Sequence, residues 1–344
     1  MRISGIETFV CHANWRNFVF VRVATDEGLH GWGEATLEGK EQTVVAAINE
    51  VARYLVGNDP AQIERHYQHL YETPFWRGGP VLNSAIAGVD QALWDIKGKV
   101  LGVPVYELLG GAARDRIRYY ANGWFHSATT IDAIAAAAWD AVGPTVDLLI
   151  EVHGRLSPAN AIRVARQIER YDPFFYEEPV RPEHMAELAL VARATSIPIA
   201  SGERAFSKHD FRPMFEQQAV AYCQPDPCHA GGITEMKKIA AMAEAYHVGF
   251  APHNPNGPVA TRVCQHLAAA CPNFTILEWL PQDVDWRDAA MGGPFDVSGG
   301  TMPLPEGPGL GIELDLDVLC EHPYVPLELN HFRPGQDLIA RPRR

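Results

Sequence analysis

From about residue 117 the chain alternates short apolar runs with amphipathic stretches of helical period. The apolar runs are IRYYANG, DLLIEVH, FFYEEP, IPIASGE, VAYCQPD, VGFAPH and FTILEW. Strands that alternate with helices predict βα units and a parallel sheet. A polar residue follows each of the last six runs: Glu151, Glu177, Glu203, Asp226, His253 and Glu278, spaced 26, 26, 23, 27 and 25 apart. Parallel strands closed into a barrel bring their C-terminal ends to one mouth, so this near-constant interval predicts one shared site. The alternative is a set of solvated strand ends that never converge.

Residues 1–118 read instead as α+β. NFVFVRVATDEG followed by LHGWGEA predicts a hairpin turned at Asp26-Glu27-Gly28. In SAIAGVDQALWDIKGKVLG, Ile86, Val89, Leu93, Ile96 and Val100 step by three and four, which predicts one buried helix face. Gly102 and Pro104 stop that helix. Beyond about residue 300 the chain is rich in Pro and Gly. It reads there as loop, a short helix near LDLDVLCEHP and a tail ending in ARPRR.

The length of 344 residues changes the picture, because a barrel alone takes roughly 250 and leaves about 100 for a second unit. The formal net charge of −13 argues against nucleic acid, whose phosphates an acidic surface repels. It leaves room for an anionic small substrate, since a bound cation reverses the field locally. The six cysteines are scattered with no CxxC pair, which points to buried, reduced thiols rather than a zinc motif or a disulfide framework. MRISGIETFV has no apolar signal core, and no run approaches the ~18 apolar residues of a membrane span. The expectation is a soluble, cytoplasmic protein without a membrane partner.

Glu151, Glu177 and Glu203 on three consecutive strands make a hard, all-oxygen set that suits Mg²⁺ or Mn²⁺ better than zinc. Three crowded carboxylates repel unless a cation neutralises them or their pKa values rise. Glu178, next to Glu177, is read as a surface ion pair or as support for the ligands. Asp226 and His253 end successive strands. An Asp on one imidazole nitrogen fixes the tautomer and makes the other nitrogen a better base. His153 lies two residues beyond Glu151 and so shares its face in a strand. It is a candidate general acid, with a structural or substrate-binding role as the alternative. His229, inside CHAGG, is placed on the loop before the helix that starts near Ile233. A cation, a base and an acid together suit removal of a proton α to a carboxylate, a type of site known to pair Lys or His bases with Mg²⁺. Where a hydroxyl sits on the β-carbon, the acid expels it as water.

The stretches YETPFWRGGP, SAIAGVDQALWDIKGKVLGVPVYELLGG, IEVHGR, FYEEPV, IPIASGER, QPDPCHAGGITE, FAPHNPNGP and ILEW occur in this order and cover most of the chain. Taken jointly, they resemble the mandelate racemase branch of the enolase superfamily, and within it the acid-sugar dehydratases of the galactonate type. The resemblance implies an α+β capping domain over 1–118, a modified TIM barrel over 119–325, and a tail over 326–344 that returns to the cap. It implies that cap loops around Cys11–Phe18 and Thr36–Lys40 close over the substrate. It also implies Mg²⁺ on Glu151, Glu177 and Glu203, an Asp226–His253 base, a His153 acid, and Glu278 as an acidic hydrogen-bond donor to the enediolate. Glu151 stands where galactonate dehydratases usually show Asp.

The barrel departs from that pattern in one place. The family has eight strands, and seven are found here. Glu151 follows Trp124 by 27 positions, which hold one helix, TTIDAIAAAAWDAV, so one βα unit has no counterpart. The junction falls near Ala138–Trp139. The function expected is Mg²⁺-dependent dehydration of a sugar acid, an aldonate such as galactonate, to a 2-keto-3-deoxy acid. The alternatives are a racemase, epimerase or cycloisomerase, and a catalytically impaired paralogue that binds acidic metabolites. A homo-oligomer is expected.

Overall fold

A computed structural model of the chain describes residues 1–122, 147–281 and 283–327. The interval from Trp124 through Ala138 and Trp139, with the helix expected there, lies outside the described residues, as does nearly all of the expected tail.

The chain opens with an antiparallel sheet, β1 (Ile3–Ala13), β2 (Arg16–Thr25) and β3 (His30–Glu34). The turn between β2 and β3 is the one the sequence predicts, closed by Thr25 N–H on Leu29 O, with Gly28 at a positive φ. Helices α1 (Glu41–Leu55) and α3 (Pro80–Leu101) pack on this sheet, and α2 (Ile63–Tyr71) packs on α3. Gly33 is required by the close approach of β3 to α3, because a Cβ there would lie 1.9 Å from the Gly88 carbonyl oxygen. Gly102 ends α3 in the left-handed region. Ile86, Val89, Leu93 and Ile96 are buried as the period predicts, but Val100 is 53% exposed. Val89, Leu93 and Ile96 join the core shared with β2 and α1, and Ile86 packs on Tyr67 and Tyr71 of α2, whereas Val100, in the last turn, joins neither cluster.

The barrel strands are β4 (Arg116–Ala121), β5 (Leu149–Glu151), β6 (Phe175–Glu177), β7 (Ile199–Ser201), β8 (Tyr222–Cys223), β9 (Gly249–Phe250) and β10 (Leu277–Trp279). β5 to β9 pair in sequence order, all parallel, and β10 pairs in parallel with β4. A parallel bridge from Phe250 to Phe274 carries the sheet from β9 to the approach of β10. The described barrel strands thus form two sheets, β5 to β9 and β10 with β4, joined by that bridge, and the chain between β4 and β5 lies mostly outside the described residues. A strand that the sequence reading missed, β11 (Thr301–Pro303), runs antiparallel to β4. Met302 alone of its three residues is buried, which leaves too little period to recognise. The short helix expected near LDLDVLCEHP is Leu316–Cys320. Residues after it lie on the first hairpin: His12 N donates to His322 O, and Asn17 and Val325 exchange two hydrogen bonds. All six cysteines are free thiols. No helix among the described residues is long and apolar enough to cross a membrane.

Two buried carboxylates of the N-terminal unit cap barrel helices. Glu34 accepts from Gly257 N (2.7 Å) and Ala260 N (3.0 Å), at the start of the helix Pro258–Ala270. Asp90 accepts from Thr234 N (3.0 Å), at the start of the helix Gly232–Ala245. Burial pushes both carboxyls up to about 7, against the pull of these donors. Anionic side chains satisfy the free N–H groups at a helix start and complement its dipole. Glu34→Ala leaves two buried N–H groups without an acceptor, each worth about 1–3 kcal/mol. The expected result is a clear fall in the urea midpoint, and a midpoint equal to that of the wild type would remove Glu34 from the junction's energetics.

Candidate active site

Five of the six strand-end candidates sit at or just past the C-terminal end of their strand, and Glu278 sits within its strand. Glu151 and Glu177 are the last residues of β5 and β6, and the two pair directly in register. Glu203 lies two residues beyond β7, while Asp226 and His253 each lie three residues beyond β8 and β9. Glu278 is the middle residue of β10. One ligand oxygen from each of Glu151, Glu177 and Glu203 lies within 4.8 Å of the others.

Electrostatics at this cluster demand a compensating charge. Burial holds Glu177 well above the ordinary carboxylate range, with Glu151, Glu278 and Glu203 adding to it. Burial does the same to Glu203, where His253 pulls down and Glu178 and Glu151 push up. Glu151 Oε1 and Glu203 Oε2 are buried without a hydrogen bond, although imidazole nitrogens of His153 and His253 stand 2.9 Å and 3.2 Å away. Buried acceptor oxygens without donors are costly, and a cation relieves them. The donor set is all oxygen, so it fits Mg²⁺ or Mn²⁺.

His253 connects this cluster to Asp226. Its Nδ1 lies 2.8 Å from Asp226 Oδ2, and its Nε2 lies 3.2 Å from Glu203 Oε2 and 3.9 Å from Glu278 Oε2. Burial lowers its pKa, but Glu203, Glu278 and Asp226 outweigh that and raise it well above the usual value. Asp226 is fully buried; burial raises its pKa, but His229 and the hydrogen bond from His253 more than offset this and leave it lowered. Across the mouth, His153 holds a left-handed φ of 49° and its side chain is 41% exposed, with Nε2 directed at Glu151. Glu278 is raised chiefly by burial, although Asn254 N (2.8 Å) and Asn122 Nδ2 (2.6 Å) donate to it.

Glu178 is ion-paired, as one of its two readings has it, but the pair is buried rather than superficial. Its side chain is 1% exposed and takes both Nε and Nη2 of Arg204. The backbone takes a left-handed φ of 40° at Glu178. His229 lies on the loop before the helix, as expected, yet it is buried and turned toward Asp226.

Sequence reasoning assigned no role to several amides that hold these groups. Gln224 donates to Glu177 Oε1 at 2.7 Å, and Asn256 donates to Asp226 Oδ2 at 2.8 Å. Asn122 and Asn254 hold Glu278. Their signal was their place, since each amide lies within about three residues of a strand end or of an acidic or imidazole group.

Comparison with known proteins agrees with this arrangement. Residues 6–110 match the mandelate racemase/muconate lactonizing enzyme N-terminal domain, and residues 119–318 match the enolase C-terminal domain-like family. A D-galactonate dehydratase of Ralstonia nicotianae is 42% identical over 362 aligned positions, covering 93% of this chain and 94% of the relative. Those 362 positions exceed the 344 residues present, so the relative carries residues without a counterpart here. An enolase from Agrobacterium radiobacter, solved with Na and L-malate bound, superposes with a TM-score of 0.89 at 30% identity, covering 98% of each chain. A mandelate racemase/muconate lactonizing enzyme from Jannaschia sp. CCS1 gives a TM-score of 0.88 at 32% identity, covering 96% of this chain and 100% of that one. With a matching cap, a matching barrel and acidic groups gathered at the barrel mouth, this chain belongs to the mandelate racemase/muconate lactonizing enzyme family of the enolase superfamily.

Proposed function

We propose that the protein dehydrates a sugar acid, an aldonate such as galactonate, to a 2-keto-3-deoxy acid with the help of Mg²⁺ or Mn²⁺. The observation that carries this reading is the convergence of three carboxylates, a buried Asp–His pair and a second imidazole at one barrel mouth. The similarity to D-galactonate dehydratases supports the substrate class.

Glu151, Glu177 and Glu203 would hold the cation, which supplies Lewis acidity toward the substrate carboxylate and steadies the negative charge that develops there. Asp226 keeps the proton of His253 on Nδ1, so Nε2 is the nitrogen that takes the α-proton. Glu278, whose pKa burial raises, would in its protonated form donate a hydrogen bond to the enediolate oxygen. His153 delivers a proton to the β-hydroxyl, which leaves as water with the C–O bonding pair. The enol that remains becomes the 2-keto-3-deoxy acid when its β-carbon takes up a proton.

The test is a screen of aldonic and aldaric acids with Mg²⁺, read by 2-keto-3-deoxy product. The expected result is turnover of at least one aldonate that EDTA abolishes. Turnover that yields only a C2 epimer would replace dehydration by racemase-type chemistry. No turnover of any acid would favour the impaired paralogue.

A further inference from the structure

Among the described residues, His229 is a buried imidazole beside the Asp226–His253 pair that the chemistry above does not use. Its Nε2 lies 2.9 Å from the carbonyl oxygen of Thr36 in the N-terminal unit. A carbonyl only accepts, so Nε2 carries the proton. The opposite nitrogen, Nδ1, lies 3.8 Å from Asp226 Oδ2, the oxygen that also receives His253 and Asn256. Asp226 Oδ1 takes Cys228 N at 2.7 Å. His229 thus stands between the cap and the carboxylate that orients the base.

Further contacts tie the same cap segment to both sides of the pair. Thr36 Oγ1 donates to Glu34, and Glu34 accepts from Gly257 and Ala260, on the chain that follows His253. Gln91 donates to the carbonyl of Pro227, the residue after Asp226, and exchanges two more hydrogen bonds with the backbone of Glu34. The cap therefore grips the loops that carry both members of the pair.

We propose that His229 is a positioning residue that fixes Asp226, and through it His253, by tying the Asp226 loop to the Thr36 carbonyl of the cap. It touches no reacting atom, and its role rests on the dehydratase reading only for its kinetic consequence. Partners one shell removed from the reacting groups change activity by about 10–100-fold when lost.

His229→Ala removes both contacts. His229→Gln keeps an N–H at the place of Nε2 for Thr36 and leaves nothing facing Asp226. The expected result is a fall in kcat of about 10–100-fold for Ala, with KM within about threefold, and an intermediate kcat for Gln. A second readout needs no substrate: the downfield proton resonance of His253 Nδ1–H on Asp226, in Mg²⁺-loaded protein, assigned by its loss in His253→Asn. It is expected to shift or broaden in the Ala variant and to recover in part in Gln. Wild-type kcat together with an unmoved resonance in Ala overturns the proposal. If Ala does not fold, Gln decides, and a Gln variant equal to wild type in both readouts overturns it. A wild type that turns over no sugar acid sinks the dehydratase reading alone, and the resonance still decides the role of His229.

Discussion

Replacing His253 by Asn is expected to cut turnover by orders of magnitude while leaving the fold and the cation site in place. Asn can still donate an N–H to Asp226, so the buried carboxylate keeps a partner, but nothing stands at the position of Nε2 to take a proton. General acid–base groups contribute about 10²–10⁴-fold, and that is the expected loss in kcat. KM should change little, because the lost interaction belongs to the transition state rather than to substrate binding. The measurement is steady-state kinetics on the acid found by the screen, alongside Mg²⁺ titration of the variant. A variant that keeps kcat within tenfold of wild type would falsify the assignment of His253 as the base.

Removal of the divalent cation is the second large effect, and its dependence on pH has a definite sign. Burial and mutual repulsion hold Glu177 and Glu203 well above the usual carboxylate range in the metal-free protein. Their folded values lie above the unfolded value of about 4.3, so the folded state binds more protons. The stability they contribute is full below that unfolded value and is lost as pH rises through the folded values. The metal-free protein should therefore melt at a lower temperature at pH 8 than at pH 6. A cation displaces these protons, so its affinity should rise with pH, and binding should release protons into the buffer. At a hundredfold excess over Kd the gain is about 2.7 kcal/mol. The rise in Tm on adding Mg²⁺ should be larger at pH 8 than at pH 6. An equal rise at both, with no proton release in buffers of different ionisation enthalpy, would show that the three glutamates are not the ligands.

Much of this site was legible before any coordinates. Glu151, Glu177, Glu203, Asp226, His253 and Glu278 were found by one local signal, a polar residue after each apolar run at an interval of about one βα unit. The signal worked because the hydrophobic demands of a buried parallel strand end abruptly at the mouth, where the next side chain meets water, ion or substrate. His153 followed from its spacing to Glu151, although it reaches the mouth through a left-handed residue rather than along a regular strand. Val100 shows the limit of the same reasoning: it keeps the period of Ile86 to Ile96 but joins neither of the clusters that bury those residues. β11 shows another limit, since three residues with one buried side chain carry too little pattern to read.

The sequence by itself determined the alternation of strand and helix, the hairpin and helix stops of the first unit, and which carboxylates and imidazoles stand at strand ends. These are local properties, set by periods of two and 3.6 residues and by the conformational limits of Gly and Pro. Only the tertiary structure decided which atoms meet. It turned Glu178 into a buried partner of Arg204, set Gln224 on Glu177 and Asn122 on Glu278, and brought His229 to Thr36 across 193 positions and Gly257 to Glu34 across 223. The physical reason is that contacts between segments so far apart depend on how the cap docks on the barrel, and that docking leaves no period in either segment alone.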